Sequence, residues 1–207
     1  LKIAIWSARW ICGVRWRIEG LENLPDGPAI LLPKHQSTWE TFFLVSMLPR
    51  PVTFVHKREL LWVPFFGWGL GLLRMISIDR SKGRDAFEQI VEQGSRQLAS
   101  GRWIVMFPEG TRTRPGSQGR YKGGGTRLAA RTGAPVVPIA LNSGDCWPKK
   151  ARVLKPGTIT VAIGTPLSPH DQSPDALLLQ AEGWIETTMR RISSAPYAGP
   201  WTGTSAR

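Results

Sequence analysis

Short apolar runs that end abruptly in Gly, Pro or charged residues constrain the fold of this chain more than any other feature. Six segments have the length and apolar content of a strand: 29–33, 52–57, 75–78, 103–107, 135–141 and 158–163. Candidate helices with apolar side chains at helical spacing lie between them, at 38–48, 85–100 and 126–132. This alternation predicts one α/β domain with a mixed central sheet flanked by helices. Pro138 predicts that its strand lies at a sheet edge or carries a bulge.

The two ends of the chain differ from this domain, which we place at residues 14–192. Residues 1–13 form a short amphipathic segment with Ile3, Trp6, Trp10 and Ile11 on one face. Such a helix either lies in a membrane interface or packs on the core of its own domain, and the sequence leaves both open. Residues 193–207 are rich in Ala, Gly, Pro, Ser and Thr, which predicts a poorly ordered tail.

Composition narrows the class of partner. A net charge of +12 and a calculated pI of about 10.7 favour nucleic acid, an anionic membrane surface or a phosphorylated substrate, although many proteins are basic for no specific reason. Ten Trp residues favour lipid, because indole prefers the membrane interface. No uncharged apolar run reaches the ~18 residues of a spanning helix. Three His and two distant Cys argue against a structural metal site.

The segment 34–40 carries the strongest candidate for chemistry. His35 and Glu40 stand five residues apart where a strand meets a helix. An imidazole that is hydrogen-bonded to a carboxylate can deprotonate a hydroxyl, because the carboxylate fixes its tautomer and stabilises the imidazolium. Ser37 and Glu40 also form a capping-box pattern, so Glu40 either pairs with His35 or caps the helix.

A second segment, Phe107 to Arg112, has the composition of an anion-binding loop. Gly110 lets the backbone approach an anion closely. Arg112 offers a bidentate fork for phosphate oxygens. Glu109 cannot itself bind phosphate, so we expect it to orient Arg112 or backbone amides.

Four segments together make the chain recognisable. They are His35 to Glu40, Ser77 to Arg80, Phe107 to Arg112, and Val137 to Ala140. In this order and spacing they resemble the motifs of the glycerolipid acyltransferase family, and within it those of the bacterial 1-acyl-sn-glycerol-3-phosphate acyltransferases. One departure matters: Glu40 stands where the family usually has Asp, and it is longer by one methylene.

The resemblance implies a reaction and a set of roles. His35 would be the general base and Glu40 its orienting partner, in acyl transfer from acyl-CoA or acyl-carrier protein to the sn-2 hydroxyl of 1-acyl-sn-glycerol 3-phosphate. The product would be phosphatidic acid, with no acyl-enzyme, cofactor or metal. Residues implied for the substrate phosphate are Lys57, Arg80, Glu109, Gly110, Thr111 and Arg112. The implied location is the cytoplasmic face of the bacterial inner membrane, at an anionic lipid surface.

Residues 60–73 contain no charge and are broken by Pro and Gly. Trp62, Phe65, Phe66 and Trp68 could line an acyl-chain groove or enter the membrane interface, or this could be an ordinary core helix. Two other functions stay open. One is acyl transfer to a different acceptor, such as a lyso-ornithine lipid or glycerol 3-phosphate. The other is a non-catalytic module that binds anionic lipid or nucleic acid, although Trp residues placed within apolar runs argue against nucleic acid.

Overall fold

The computed structural model describes residues 1–57, 62, 75–78 and 83–197 of the chain. Within these residues it contains seven strands and five α-helices. The strands are β1 Val14–Glu19, β2 Ile30–Pro33, β3 Val52–Lys57, β4 Ile76–Ile78, β5 Trp103–Val105, β6 Val136–Leu141 and β7 Gly157–Ile163. The helices are α1 Lys2–Trp10, α2 Trp39–Met47, α3 Gly83–Ala99, α4 Gly124–Thr132 and α5 Pro174–Ile192.

All seven strands join one mixed sheet, which confirms the predicted fold class. Their spatial order is β1-β7-β6-β2-β5-β3-β4. Neighbouring strands pair in parallel, except for β6 and β7, which are antiparallel. Strands β1 and β7 therefore run opposite to the other five.

The sheet brings two loops to the same edge. Strand β2 pairs in parallel with β5, with Ile30 opposite Ile104 and Leu31 opposite Val105. Both strands therefore end side by side, and the segments that follow them, His35 onward and Phe107 onward, leave from the same edge. Sites in α/β folds form at this carboxyl edge.

Both faces of the central strands are covered. On β2, Leu31 joins the core cluster that contains Trp39 and Phe43, while Ile30 and Leu32 join the cluster on the opposite face. All three β2 side chains are at most 1% exposed. A fully buried aliphatic or aromatic side chain of this size stabilises the fold by about 1.5–3 kcal/mol. This burial on both sides explains why the strand reads as a continuous apolar run.

Pro138 corrects one expectation. Its strand, β6, lies inside the sheet between β7 and β2, not at an edge. The ladder to β7 begins one residue later, where Ile139 lies opposite Ile163. The carbonyl of Pro138 still accepts a hydrogen bond from the Gly164 amide, at 2.9 Å. Pro138 itself lies opposite Leu32 in the parallel ladder with β2, so the sheet accommodates a proline within a central strand, one residue before the antiparallel ladder begins.

Helix α1 has two different faces. Ile5 and Ala8 are buried against the core, whereas Ile3 and Ile11 are each 82% exposed and Trp10 is nearly as exposed. One face thus packs on the domain, and the other presents apolar side chains outward. In the part of the chain that the structure describes, no helix has both the length and the apolar character needed to cross a bilayer.

The segment after α5 contacts the domain where it is described. The amide of Ser194 donates to Asp145 Oδ2 at 2.8 Å, and the Tyr197 ring lies under the Arg190 guanidinium. Residues 198–207, the remainder of the expected tail, lie outside the described residues.

Candidate active site

His35 and Glu40 form a direct hydrogen-bonded pair. His35 Nδ1 lies 2.6 Å from Glu40 Oε2, and the Glu40 side chain is fully buried. With a carboxylate as its partner, Nδ1 carries the hydrogen and donates it, which leaves the lone pair on Nε2. The His35 side chain is 16% exposed, so the ring is reachable from outside while its partner is not.

The second oxygen of Glu40 binds the backbone that leads into helix α2. Oε1 accepts from the amides of Gln36, at 2.7 Å, and Ser37, at 2.8 Å. It also accepts a hydrogen bond from the Ser143 hydroxyl, on the short 3₁₀ helix that follows β6. The two interpretations of Glu40 are therefore not exclusive, because one oxygen holds His35 while the other accepts the Ser37 amide, which is one of the two bonds of a capping box.

One face of the His35 ring is also held in place. It stacks on Phe107 with ring centroids 3.8 Å apart and planes inclined by 21°. Phe107 in turn lies against Phe54 of β3. Stacking and the Glu40 bond together fix both the position and the rotation of the imidazole, as a general base requires.

Glu109 organises backbone and does not contact an anion site directly. Its Oε2 accepts from the His35 amide at 2.9 Å, and its Oε1 accepts from the Gly119 amide at 3.1 Å. Oε1 also lies 2.7 Å from the ammonium of Lys34. Burial raises the pKa of Glu109, while the Lys34 charge opposes that shift. Of the two partners expected for this residue, the structure shows backbone amides, not Arg112.

Arg112 comes close to the start of helix α2. One of its terminal nitrogens donates to Thr38 Oγ1 at 2.7 Å, three residues beyond His35. The next residue, Thr113, donates its amide to the His35 carbonyl at 2.8 Å. The predicted base and the predicted phosphate-binding arginine therefore share one edge of the sheet.

Gly110 has a backbone conformation that favours glycine. Its φ is +66°, and a Cβ at this position would lie 3.0 Å from the ammonium of Lys122. Thr111 beside it is exposed.

Several predicted residues lie outside the described part of the chain. They are Arg80, Phe65, Phe66 and Trp68. Lys57 is the last residue of β3, opposite Ile78 of β4, and its backbone therefore ends at the same edge. Trp62 is exposed. The roles assigned to these residues stay predictions.

Sequence reasoning missed four contributors to the site. The sequence assigned no role to Lys34 or Gln36, but Lys34 is fully buried and Gln36 Oε1 accepts from the Gly144 amide at 3.2 Å. Ser143 and Glu186 carried no local signal, because they lie 103 and 152 residues from the partners they bind, Glu40 and Lys34. A lysine directly after a buried strand was the one available signal, since lysine is almost never fully buried unless paired.

Comparisons with known proteins agree with this geometry. A family model described as "Acyltransferase" matches residues 15–142. The chain is 47% identical over 195 residues to a 1-acyl-sn-glycerol-3-phosphate acyltransferase from Pseudomonas aeruginosa, covering 93% of this chain and 76% of that protein. It is 30% identical over 205 residues to the mouse 1-acyl-sn-glycerol-3-phosphate acyltransferase alpha, covering 96% and 72%.

A solved structure also matches. It is the 1-acyl-sn-glycerophosphate acyltransferase PlsC from Thermotoga maritima, with a TM-score of 0.71 and 25% sequence identity over 92% of this chain and 73% of that one. The family model spans more than half of the chain and includes both His35 and Glu109. The resemblance predicted from four short motifs is thereby confirmed, and this chain belongs to the acyltransferase family.

Proposed function

We propose that this acyltransferase moves a fatty acyl group from acyl-CoA or acyl-carrier protein to the sn-2 hydroxyl of 1-acyl-sn-glycerol 3-phosphate, giving phosphatidic acid. The observation that carries the proposal is the buried Glu40 carboxylate 2.6 Å from His35 Nδ1, beside a loop that presents Arg112. The names of the relatives from Pseudomonas aeruginosa and mouse support the choice of acceptor.

The proposed chemistry is direct transfer. His35 Nε2 takes the hydroxyl proton as the substrate oxygen attacks the thioester carbonyl, and Glu40 stabilises the imidazolium through Nδ1. A C–O bond forms, the C–S bond breaks, and the thiolate leaves with the proton returned by His35. The two substrates supply all atoms and electrons, and we propose that the reaction uses no resident metal or cofactor.

We propose that binding of the acceptor phosphate holds the acceptor hydroxyl near the thioester. We assign the acceptor phosphate to Arg112, Gly110 and Thr111 at the site edge, joined by Lys57 and Arg80. Glu109 acts on the same loop through backbone amides. Holding a hydroxyl near a thioester in attack geometry removes part of the entropic barrier.

We propose that the enzyme binds the surface of an anionic membrane, where its lipid acceptor lies. The outward face of α1 supports this, because Ile3, Trp10 and Ile11 are exposed. Arg9 lies over the rings of Trp6 and Trp10, so a cation stands within this apolar group. An interfacial helix combines such residues with basic side chains.

The experiment is an acceptor panel with labelled acyl-CoA and acyl-carrier protein. We expect 1-acyl-sn-glycerol 3-phosphate to be the best acceptor, and His35→Ala to lower kcat by about 10²–10⁴-fold with an unchanged circular dichroism spectrum. Equal rates with a lyso-ornithine lipid or another acceptor lacking phosphate would overturn the assignment of Arg112. Wild-type turnover by His35→Ala would overturn the assignment of His35 as the general base.

A further inference from the structure

A buried cation lies between two buried carboxylates beneath the site. The ammonium of Lys34 is 2.7 Å from Glu109 Oε1 and 2.7 Å from Glu186 Oε1, and all three side chains are fully buried. The same ammonium donates to the Ser117 carbonyl at 3.1 Å. We call Lys34, Glu109 and Glu186 the buried charge cluster.

The cluster connects three separate parts of the chain. Lys34 directly precedes His35, and Glu109 lies on the loop after β5. Glu186 lies on α5, beyond the residues 15–142 that the family model matches. The Tyr121 hydroxyl donates to Glu186 Oε1 at 2.9 Å, and the Arg190 guanidinium lies 3.6 Å from Oε2. The C-terminal helix is therefore bonded to the segment that carries the base.

Net stability is a weak reason for such a cluster. The cost of removing three charges from water often equals or exceeds the attraction between them, so apolar replacements of the whole set can be equally stable. A better reason for the cluster is that it positions Glu109 and the backbone groups that Glu109 binds. Glu109 accepts the amide hydrogens of His35 and Gly119 through its two oxygens, and these bonds are stronger when the group is a carboxylate than when one oxygen carries a proton.

We infer that Lys34 and Glu186 are positioning residues for the acyl transfer proposed above: Lys34 holds Glu109 charged and in place, Glu186 holds the Lys34 ammonium where it meets Glu109, and Glu109 holds the backbone of His35 and of the loop at Gly119. The inference rests on the proposed function, since it assigns these residues to that reaction. Helix α5 thereby gains a role in positioning the catalytic base, although the family model ends at residue 142, before this helix.

The charges around Glu109 determine what each substitution does. The titratable groups that face it are Lys34 from just after β2, Glu186 from α5, Tyr121 from the loop before α4, and Tyr197 from the segment after α5. Burial raises the pKa of Glu109, Glu186 raises it further, and Lys34 lowers it. Removing Lys34 therefore favours protonated Glu109, and removing the Glu186 charge as well partly reverses that effect.

The first test is a double-substitution cycle with Lys34→Met, Glu186→Gln and both together. We expect Lys34→Met to lower kcat by about 10- to 100-fold at neutral pH, with activity recovering as the pH rises and Glu109 ionises. The double variant should be more active than Lys34→Met, because it leaves one buried negative charge instead of two. A double variant no more active than Lys34→Met would overturn the coupling.

Glu186→Gln alone keeps the test decisive if Lys34→Met fails to fold, because the amide keeps the shape and one acceptor oxygen. We expect kcat to fall about tenfold, acceptor KM to stay within about threefold, and the amides of His35 and Gly119 to exchange hydrogen faster. The matched control is Glu182→Gln, one turn earlier on α5, whose carboxylate accepts from Gln118 at 2.8 Å.

The outcomes separate the two claims. Wild-type kcat in Glu186→Gln, on an enzyme that acylates the proposed acceptor, overturns the positioning role and leaves the function standing. A wild-type protein that does not acylate that acceptor overturns the proposed function itself. An equal loss of kcat in Glu186→Gln and Glu182→Gln, with no change in exchange at His35, shows a general effect on α5 and also overturns the positioning role.

Discussion

At the scale of single residues, the site depends on one carboxylate that has two tasks. Glu40 Oε2 lies 2.6 Å from His35, while Oε1 accepts two amides and the Ser143 hydroxyl. The extra methylene of Glu relative to the family's usual Asp places both oxygens within reach of these partners. A carboxylate with so many bonds has little freedom to move, and this restricts the imidazole too.

Shortening this residue should therefore be costly. In Glu40→Asp the carboxylate cannot keep the His35 bond and all of its capping bonds, since the α2 backbone fixes the distance. A misplacement of about 1 Å near the reacting centre costs on the order of 10²-fold, so we expect a comparable fall in kcat. Steady-state kinetics on the purified variant checks this. Unchanged turnover would mean that the backbone at residues 36–40 readily shifts.

Ser143 should matter as a donor to a buried charge. Ser143→Ala leaves Glu40 with one hydrogen bond fewer, and a bond to a charged group contributes about 1.5–3 kcal/mol. For a chain of this size we expect the melting temperature to fall by roughly 3–12 °C, together with a lower kcat. The measurement is thermal unfolding followed by circular dichroism.

The matched control for Ser143 is Ser46→Ala. Ser46 is half-buried whereas Ser143 is fully buried, and the Ser46 hydroxyl donates to the neutral carbonyl of Phe42 within α2 instead of to a carboxylate. If both variants melt at the same temperature, the Ser143 hydrogen bond contributes no more to stability than the Ser46 bond does.

At the scale of elements, the apolar runs predicted the strands well, because a strand buried on both faces must be apolar throughout. Residues 52–57 match β3, and β4 begins one residue after the predicted start. The run 103–107 was predicted too long: β5 ends at Val105 because the Phe107 carbonyl accepts from the Gly110 amide in a turn. Local turn bonds of this kind leave no trace in hydrophobicity.

The loop after β5 offers a test of backbone conformation. Gly110→Ala places a side chain at φ +66° and within 3.0 Å of the Lys122 ammonium. A left-handed residue other than Gly costs about 1–2 kcal/mol, so we expect a loss of this size in unfolding free energy, together with a higher acceptor KM. Chemical denaturation and steady-state kinetics measure the two effects.

Gly27→Ala is the control for this loop, because its Cβ would meet nothing within 4 Å and its φ is not positive. A Gly110→Ala variant as stable as Gly27→Ala would show that the loop relaxes without cost.

At the scale of the whole molecule, we expect a net charge of +12 and an apolar face on α1 to act together in binding a membrane surface. Charge would attract the protein to an anionic surface over about a Debye length, and apolar side chains would hold it there after contact. The two contributions respond differently to salt, which allows them to be separated.

Vesicle co-sedimentation should show this difference. We expect binding to phosphatidylglycerol vesicles to weaken as salt rises from about 0.1 M to 1 M, because the Debye length falls from about 10 Å to about 3 Å. Ile11→Ser should weaken binding at both salt concentrations, whereas Leu179→Ala, at an exposed site on α5, should not. Equal binding to neutral and anionic vesicles at all salt concentrations would contradict the charge contribution.

The sequence by itself determined the α/β class and the family, and it located the candidate site in the segments of His35 and Arg112. Short apolar runs and motifs were enough for this because both depend on residues close together in the chain. Only the tertiary structure decided that Ser143 and Glu186 complete the site, and that the strand of Pro138 is central. The physical reason is distance along the chain. A buried hydrogen bond between residues more than 100 positions apart depends on how the strands pair, and neither partner's local sequence specifies that pairing.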